Sequence, residues 1–201
     1  MNKKSRGIDI LRELSRRDIL KGGAAASIGM ASGAFGVPKE STRDFIREEN
    51  SKKGTRDWRL SNTKTVPGKI NRILDNGRSK AIEGYCNANS LRAGEKLKIM
   101  VSANPSSAFK LDIFRTGYYG GTGARLMKSF DSIMAGTQPD PPIGENYVRE
   151  CQWEPTVELE IPKTWPSGVY LGKMTAERSG IQSYVIFIVR DDRPCDFLFQ
   201  C

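Results

Sequence analysis

The chain contains no histidine. That absence excludes a Ser-His-Asp or Cys-His nucleophile pair and the usual histidine-containing zinc and copper sites. Cysteine is scarce as well: Cys86, Cys151, Cys195 and Cys201 contain no Cys-x-x-Cys pair, so a structural zinc site is not expected. Three disulfide pairings exist and the spacing does not rank them; four buried or free thiols is the other reading. No apolar run is long enough to cross a membrane. The uncharged stretch from Gly22 to Gly36 is rich in glycine and falls short of the roughly twenty apolar residues a spanning helix needs. No stable membrane anchor is therefore expected. The formal charge of +9 suggests a nucleic-acid binder until it is divided along the chain. Residues 1–80 hold 19 basic and 9 acidic side chains, whereas residues 81–201 hold 13 and 14. The basic excess is thus entirely N-terminal, and the rest lacks the basic stripe with interleaved aromatics that tracks a phosphate backbone.

What is present begins with an address. Arg16 and Arg17 stand in Ser15-Arg16-Arg17-Asp18-Ile19-Leu20-Lys21, directly before GGAAASIGMASGAFG. This resembles the twin-arginine (Tat) export signal of bacteria, Ser-Arg-Arg-x-Phe-Leu-Lys, with Ile19 in place of Phe and with Arg16, Arg17, Leu20 and Lys21 as the targeting residues. The resemblance implies a leader over residues 1–36, cleaved after Ala34 or Gly36, the twin-arginine machinery as a partner, and a periplasmic or extracellular location. Export to an oxidising compartment would favour a disulfide between two of the four cysteines.

After the leader, Ser41 and Asp44 have capping-box spacing and Lys52-Lys53-Gly54 supplies a stop, so a short helix is expected, followed by a polar, basic connector to Lys80. The connector is broken by Pro67-Gly68 and Asn76-Gly77 and is read as lying along a domain surface. From Ala81 the hydrophobic period changes to two. Leu97, Ile99 and Val101 alternate with Lys96, Lys98 and Met100, and Phe109, Leu111 and Ile113 alternate with Lys110, Asp112 and Phe114. Runs rich in branched and aromatic residues follow at 169–174 and 184–189. The expectation is a mainly β protein, an immunoglobulin-like antiparallel β-sandwich over 81–190, with a long loop marked by Gly136, Pro139, Pro141, Pro142 and Gly144.

The most unusual local composition lies in Arg115-Thr116-Gly117-Tyr118-Tyr119-Gly120-Gly121-Thr122-Gly123-Ala124-Arg125. Arg115, Tyr118, Tyr119, Gly120, Gly121 and Arg125 are the candidate interface or ligand loop, since glycine permits close backbone approach. The string lacks the Gly-Lys-Ser/Thr ending of a phosphate loop. A tight hairpin whose tyrosines cover the sandwich edge or a neighbouring domain is the favoured reading. Tyr170, following Trp165-Pro166, is expected in the core with a role like the tyrosine corner of sandwich folds. Glu158 and Glu160 share a strand face and are read as solvated charges rather than an acid–base pair.

Four ordered blocks carry a further resemblance: IEGYCNANSLRAGEKLKIMVS, FRTGYYGGTGARLM, WPSGVYLGKM and QSYVIFIVRDDRP. They resemble the β-rich part of the N,N-dimethylformamidase large-subunit family. In that family an α/β domain resembling a glutamine-amidotransferase fold follows, holding an iron bound by two tyrosines and a glutamate. The resemblance implies that residues 191–201 begin such a domain, that the catalytic part is missing from this chain, and that no iron ligand maps onto it. No catalytic, cofactor-binding or metal-binding residue is therefore assigned. The implied function is an exported, non-catalytic module scaffolding a C-terminal amidohydrolase-like domain. The alternative is a stand-alone exported binding module, for instance for carbohydrate, with Tyr118 and Tyr119 as an aromatic platform. A homo-oligomer is among the partners considered, and the oligomeric state is left open.

Overall fold

In the computed structural model, residues 41–65 and 78–193 are described, with side chains from Phe45 onward. The twin-arginine residues, the side chains of the Ser41–Asp44 capping pair, Cys195 and Cys201 lie outside that description. The described residues form one α-helix, α1 (Ser41–Ser51), and eight strands: β1 (Glu83–Cys86), β2 (Ser90–Arg92), β3 (Lys96–Ser102), β4 (Ser107–Thr116), β5 (Ala124–Ala135), β6 (Val157–Glu160), β7 (Gly168–Ala176) and β8 (Gln182–Arg190). Among the described residues no helix is long and apolar enough to cross a membrane.

The alternating runs become the two inner faces of a sandwich. One sheet has the order β1-β3-β6 and the other β2-β8-β7-β4-β5. Leu97, Ile99, Val101 and Leu159 from the first meet Phe109, Leu111, Tyr170 and Phe187 from the second in a single core, while Lys96, Lys98, Glu158 and Glu160 face water. This is the immunoglobulin-like arrangement expected. Trp165 stacks on Tyr170 with ring centroids 5.1 Å apart, and Tyr170 on Phe187 at 5.3 Å. The Tyr170 hydroxyl donates to the Pro166 carbonyl at 2.6 Å, four residues upstream, as a tyrosine corner does.

Two details differ from strict antiparallel alternation. β2 pairs with β8 in parallel over Ser90–Arg92, because the chain leaves the first sheet after β1 and enters the second at β2. Asn87 and Asn89 hold that switch: Asn87 Oδ1 accepts from Lys98 N at 2.8 Å, and the Asn89 carbonyl accepts from Ile188 N at 2.9 Å. Phe114, placed by the period on the solvent side, is 1 % exposed. The outer face at that end of the sheet is covered by the first part of the connector. Lys173 Nζ donates to the carbonyls of Asp57 and Arg59 at 2.8 and 2.9 Å, the Tyr184 hydroxyl donates to the Trp58 carbonyl, and Gln182 Oε1 accepts from Ser61 N at 2.8 Å. Residues 54–62 therefore lie along the domain surface and are tied to it at several points.

β5 is an edge strand of the larger sheet, and it carries two irregularities. Its pairing with β4 slips between Phe109 and Leu111 and between Ile113 and Phe114, leaving one extra β5 residue at each slip. Ser132, within the first of these, has φ +52°. Such bulges twist an edge away from flat pairing with another chain.

Candidate functional site

The hairpin between β4 and β5 is where the glycine-rich block falls, and α1 packs against it. The two tyrosines part company there. Tyr118 is 71 % exposed, whereas Tyr119, at φ +40°, turns inward and is 2 % exposed. They do not form one aromatic platform. Gly120 and Gly121 adopt φ +63° and +84° with open space around them, so their role is the backbone reversal itself.

Tyr119 points to a carboxylate that sequence reading did not single out. Glu49 of α1 is 2 % exposed. Its Oε1 accepts from the Tyr119 hydroxyl at 2.9 Å and from Arg125 Nε and Nη2 at 2.8 and 2.6 Å, and its Oε2 accepts from Lys52 Nζ at 2.8 Å. The Tyr119 hydroxyl in turn accepts from Arg115 Nη1 at 2.8 Å. Arg115, 5 % exposed, also donates through Nη2 to the Ser167 carbonyl at 2.8 Å, linking the hairpin to the turn before β7. Asn50 Oδ1 accepts from Tyr118 N at 3.0 Å. Arg115, Tyr119 and Arg125 of the candidate loop are thus brought together; Tyr119 and Arg125 bind the protein's own helix, and Arg115 joins them through the Tyr119 hydroxyl.

Close backbone approach makes that docking compact. A Cβ on Gly54 would come within 2.1 Å of Thr122 Oγ1 and 2.8 Å of the Ala124 carbonyl, so only glycine lets the chain leave α1 against the hairpin. Thr55 N then donates to the Ala124 carbonyl at 2.8 Å, and Trp58 Nε1 to the Thr122 carbonyl at 3.0 Å.

Electrostatics follow from the partners. Burial alone would raise the Glu49 pKa, but donation from Lys52, Arg125 and Tyr119 outweighs it and holds the carboxyl below its ordinary 4.5. Burial raises the Tyr119 phenol, keeping it a neutral donor. This is the one place among the described residues where a tyrosine hydroxyl meets a carboxylate. It does not suit the tyrosine–glutamate iron site of the resembled family. One tyrosine is present rather than two, three cationic side chains surround the pair, and the carboxylate oxygens are already accepting from them.

The cysteines lie apart from this cluster. Cys86 and Cys151 are free thiols, the first half-buried with its pKa pushed up to about 12 by burial, the second exposed. Glu158 and Glu160 point to solvent from β6, Glu158 with Lys98 at 3.7 Å.

Residues 110–201 match the family model described as N,N-dimethylformamidase beta subunit-like, C-terminal. Over that span the chain is similar to this family. The match begins within β4 and takes in the whole hairpin block, the tyrosine-corner strand β7 and β8. α1 and its Glu49, the partner of that block, stand before the matched span. No curated protein matches the chain.

Proposed function

We propose that the chain is an exported, non-catalytic β-sandwich module of a dimethylformamidase-like protein, holding and positioning a C-terminal amidohydrolase-like domain. The observation that carries this reading is the use of the family's hairpin block. Arg115, Tyr119 and Arg125 are occupied by Glu49 and by backbone carbonyls, which leaves a braced structural corner rather than a nucleophile, a base or a vacant ligand set. Iron, in this reading, belongs to the domain that the module supports.

Export is the second part of the proposal and rests on Arg16 and Arg17. A lysine lacks the planar guanidinium fork, so changing both to lysine should leave the precursor in the cytoplasm. Undiminished export of that double variant, equally seen when the twin-arginine machinery is blocked, would remove the assignment. For the module itself, the test is the purified chain alone. Metal analysis should find no stoichiometric iron and a formamide hydrolysis assay no turnover above blank; either one would overturn the scaffold reading. Carbohydrate binding now rests on Tyr118 as a single exposed ring, and oligosaccharide titration of Tyr118→Ala against the parent chain decides it.

A further inference from the structure

The docking of α1 creates a second feature that the scaffold reading does not use. Phe45, one turn before Glu49 on the helix, forms a wall of an open groove of about 480 Å³ at the end of the sandwich. The turn Trp165-Pro166-Ser167 also lines it, and Ala93 with Val189 continue the apolar lining. That size lies within the range of small-ligand sites. The charges at this groove are unbalanced. Lys163, Arg190 and Arg193 line it against a single carboxylate, Asp191. Arg193 is partly committed: its Nε donates to Asp191 Oδ2 at 2.5 Å, its Nη2 to Ser167 Oγ at 2.7 Å, and its guanidinium lies 5.0 Å over the Phe45 ring, while its Nη1 is buried without a hydrogen-bond partner among the described residues. Asp191 is therefore neutralised within the wall. Lys163 and Arg190 are exposed and have no carboxylate or hydrogen-bond partner among the described residues.

An apolar floor flanked by two uncommitted cations fits one ligand chemistry. We propose that this groove binds a small organic monocarboxylate carrying an aromatic or branched aliphatic body, with the carboxylate between Lys163 and Arg190 and the body against Trp165 and Phe45. Arg190 can meet a carboxylate with two parallel N–H donors, while Lys163 adds a point charge. Glu49 is a positioning residue for the site, because it holds the helix that supplies Phe45. The inference is independent of the scaffold reading: a module without catalytic groups can still hold such an acid.

Phenylacetate is the probe, titrated into the full chain by calorimetry and by tryptophan fluorescence, with Trp165→Phe identifying the Trp165 contribution. Binding should be saturable with a Kd on the order of 0.1–1 mM, as suits an open groove, and should weaken with added salt. Phenylethanol, which lacks the charge, and acetate, which lacks the body, should each bind at least about fivefold more weakly. Lys163→Gln and Arg190→Gln should each lower phenylacetate affinity about fivefold, and the double variant should abolish saturation, with thermal melting unchanged because both side chains are exposed. Absence of saturable binding, equal binding of phenylethanol, or an unaltered Kd in the double variant would overturn the proposal.

Discussion

The sandwich core and the helix-capped hairpin are held together by opposite physics. In the core, Tyr170, Phe187, Leu97 and Ile99 are removed from water, and stability comes from apolar burial and ring stacking. At the hairpin, Glu49, Arg115 and Tyr119 are buried nearly as completely, but each is polar and remains there only because the others satisfy it. Loss of one core side chain removes contacts in proportion to its size. Loss of one member of the polar cluster leaves its neighbours without partners, a cost set by what remains rather than by what was removed.

The largest effect separating the two regions belongs to the core. Phe187→Ala should lower global stability by about 3 to 5 kcal/mol in urea unfolding, with every probe reporting the same loss. Glu49→Ala should cost about 2 to 3 kcal/mol, since Arg125, Tyr119 and Lys52 lose a shared acceptor, and the loss should be local. Amide exchange in α1 should accelerate while β7 and β8 keep their protection. Equal acceleration in both regions would merge them into one cooperative unit.

Acid offers a reversible version of the same break. The folded pKa of Glu49 lies below its ordinary 4.5, so its contribution is complete above about pH 4.5 and is lost as pH falls through the lower, folded value. Protection of the α1 amides in the parent chain, after correction for the intrinsic pH dependence of exchange, should therefore fall on acidification below about pH 4.5, and Glu49→Gln should abolish that change. Tyr170→Phe should cost about 1 to 2 kcal/mol, because the Pro166 carbonyl loses its buried donor while the ring stack with Trp165 and Phe187 survives. The smallest effect is Glu158→Gln, within about 0.5 kcal/mol, since the Lys98 partner at 3.7 Å is exposed.

The core was legible in the sequence because burial of a strand face writes a period of two, and Leu97, Ile99, Val101, Phe109 and Leu111 obey it. Tyr170 was legible through the Trp-Pro-Ser-Gly turn before it, and the helix through its stop at Lys52-Lys53-Gly54. The hairpin block was recognisable as unusual and as a turn, but not what it binds. Glu49 is 66 positions away from Arg115 and one of several acidic residues in a polar helix, so no local pattern marks it as the buried one. Gly54 offered the only sequence signal, and it read as a helix stop rather than as a point of backbone contact with Thr122. Phe114 misled because alternation reports the strand's own faces and is blind to a connector laid over the outer one.

The central claim is that the glycine-rich hairpin block serves as a socket for Glu49. A double-mutant cycle on Glu49→Ala and Tyr119→Phe tests it most directly, with urea unfolding measured for the parent, both single variants and the double. The two side chains share a hydrogen bond and a set of arginines, so their losses should fail to add, with a coupling energy of about 1 kcal/mol or more. Losses that add to within about 0.3 kcal/mol would mean that Glu49 and the block are independent, and would contradict the account.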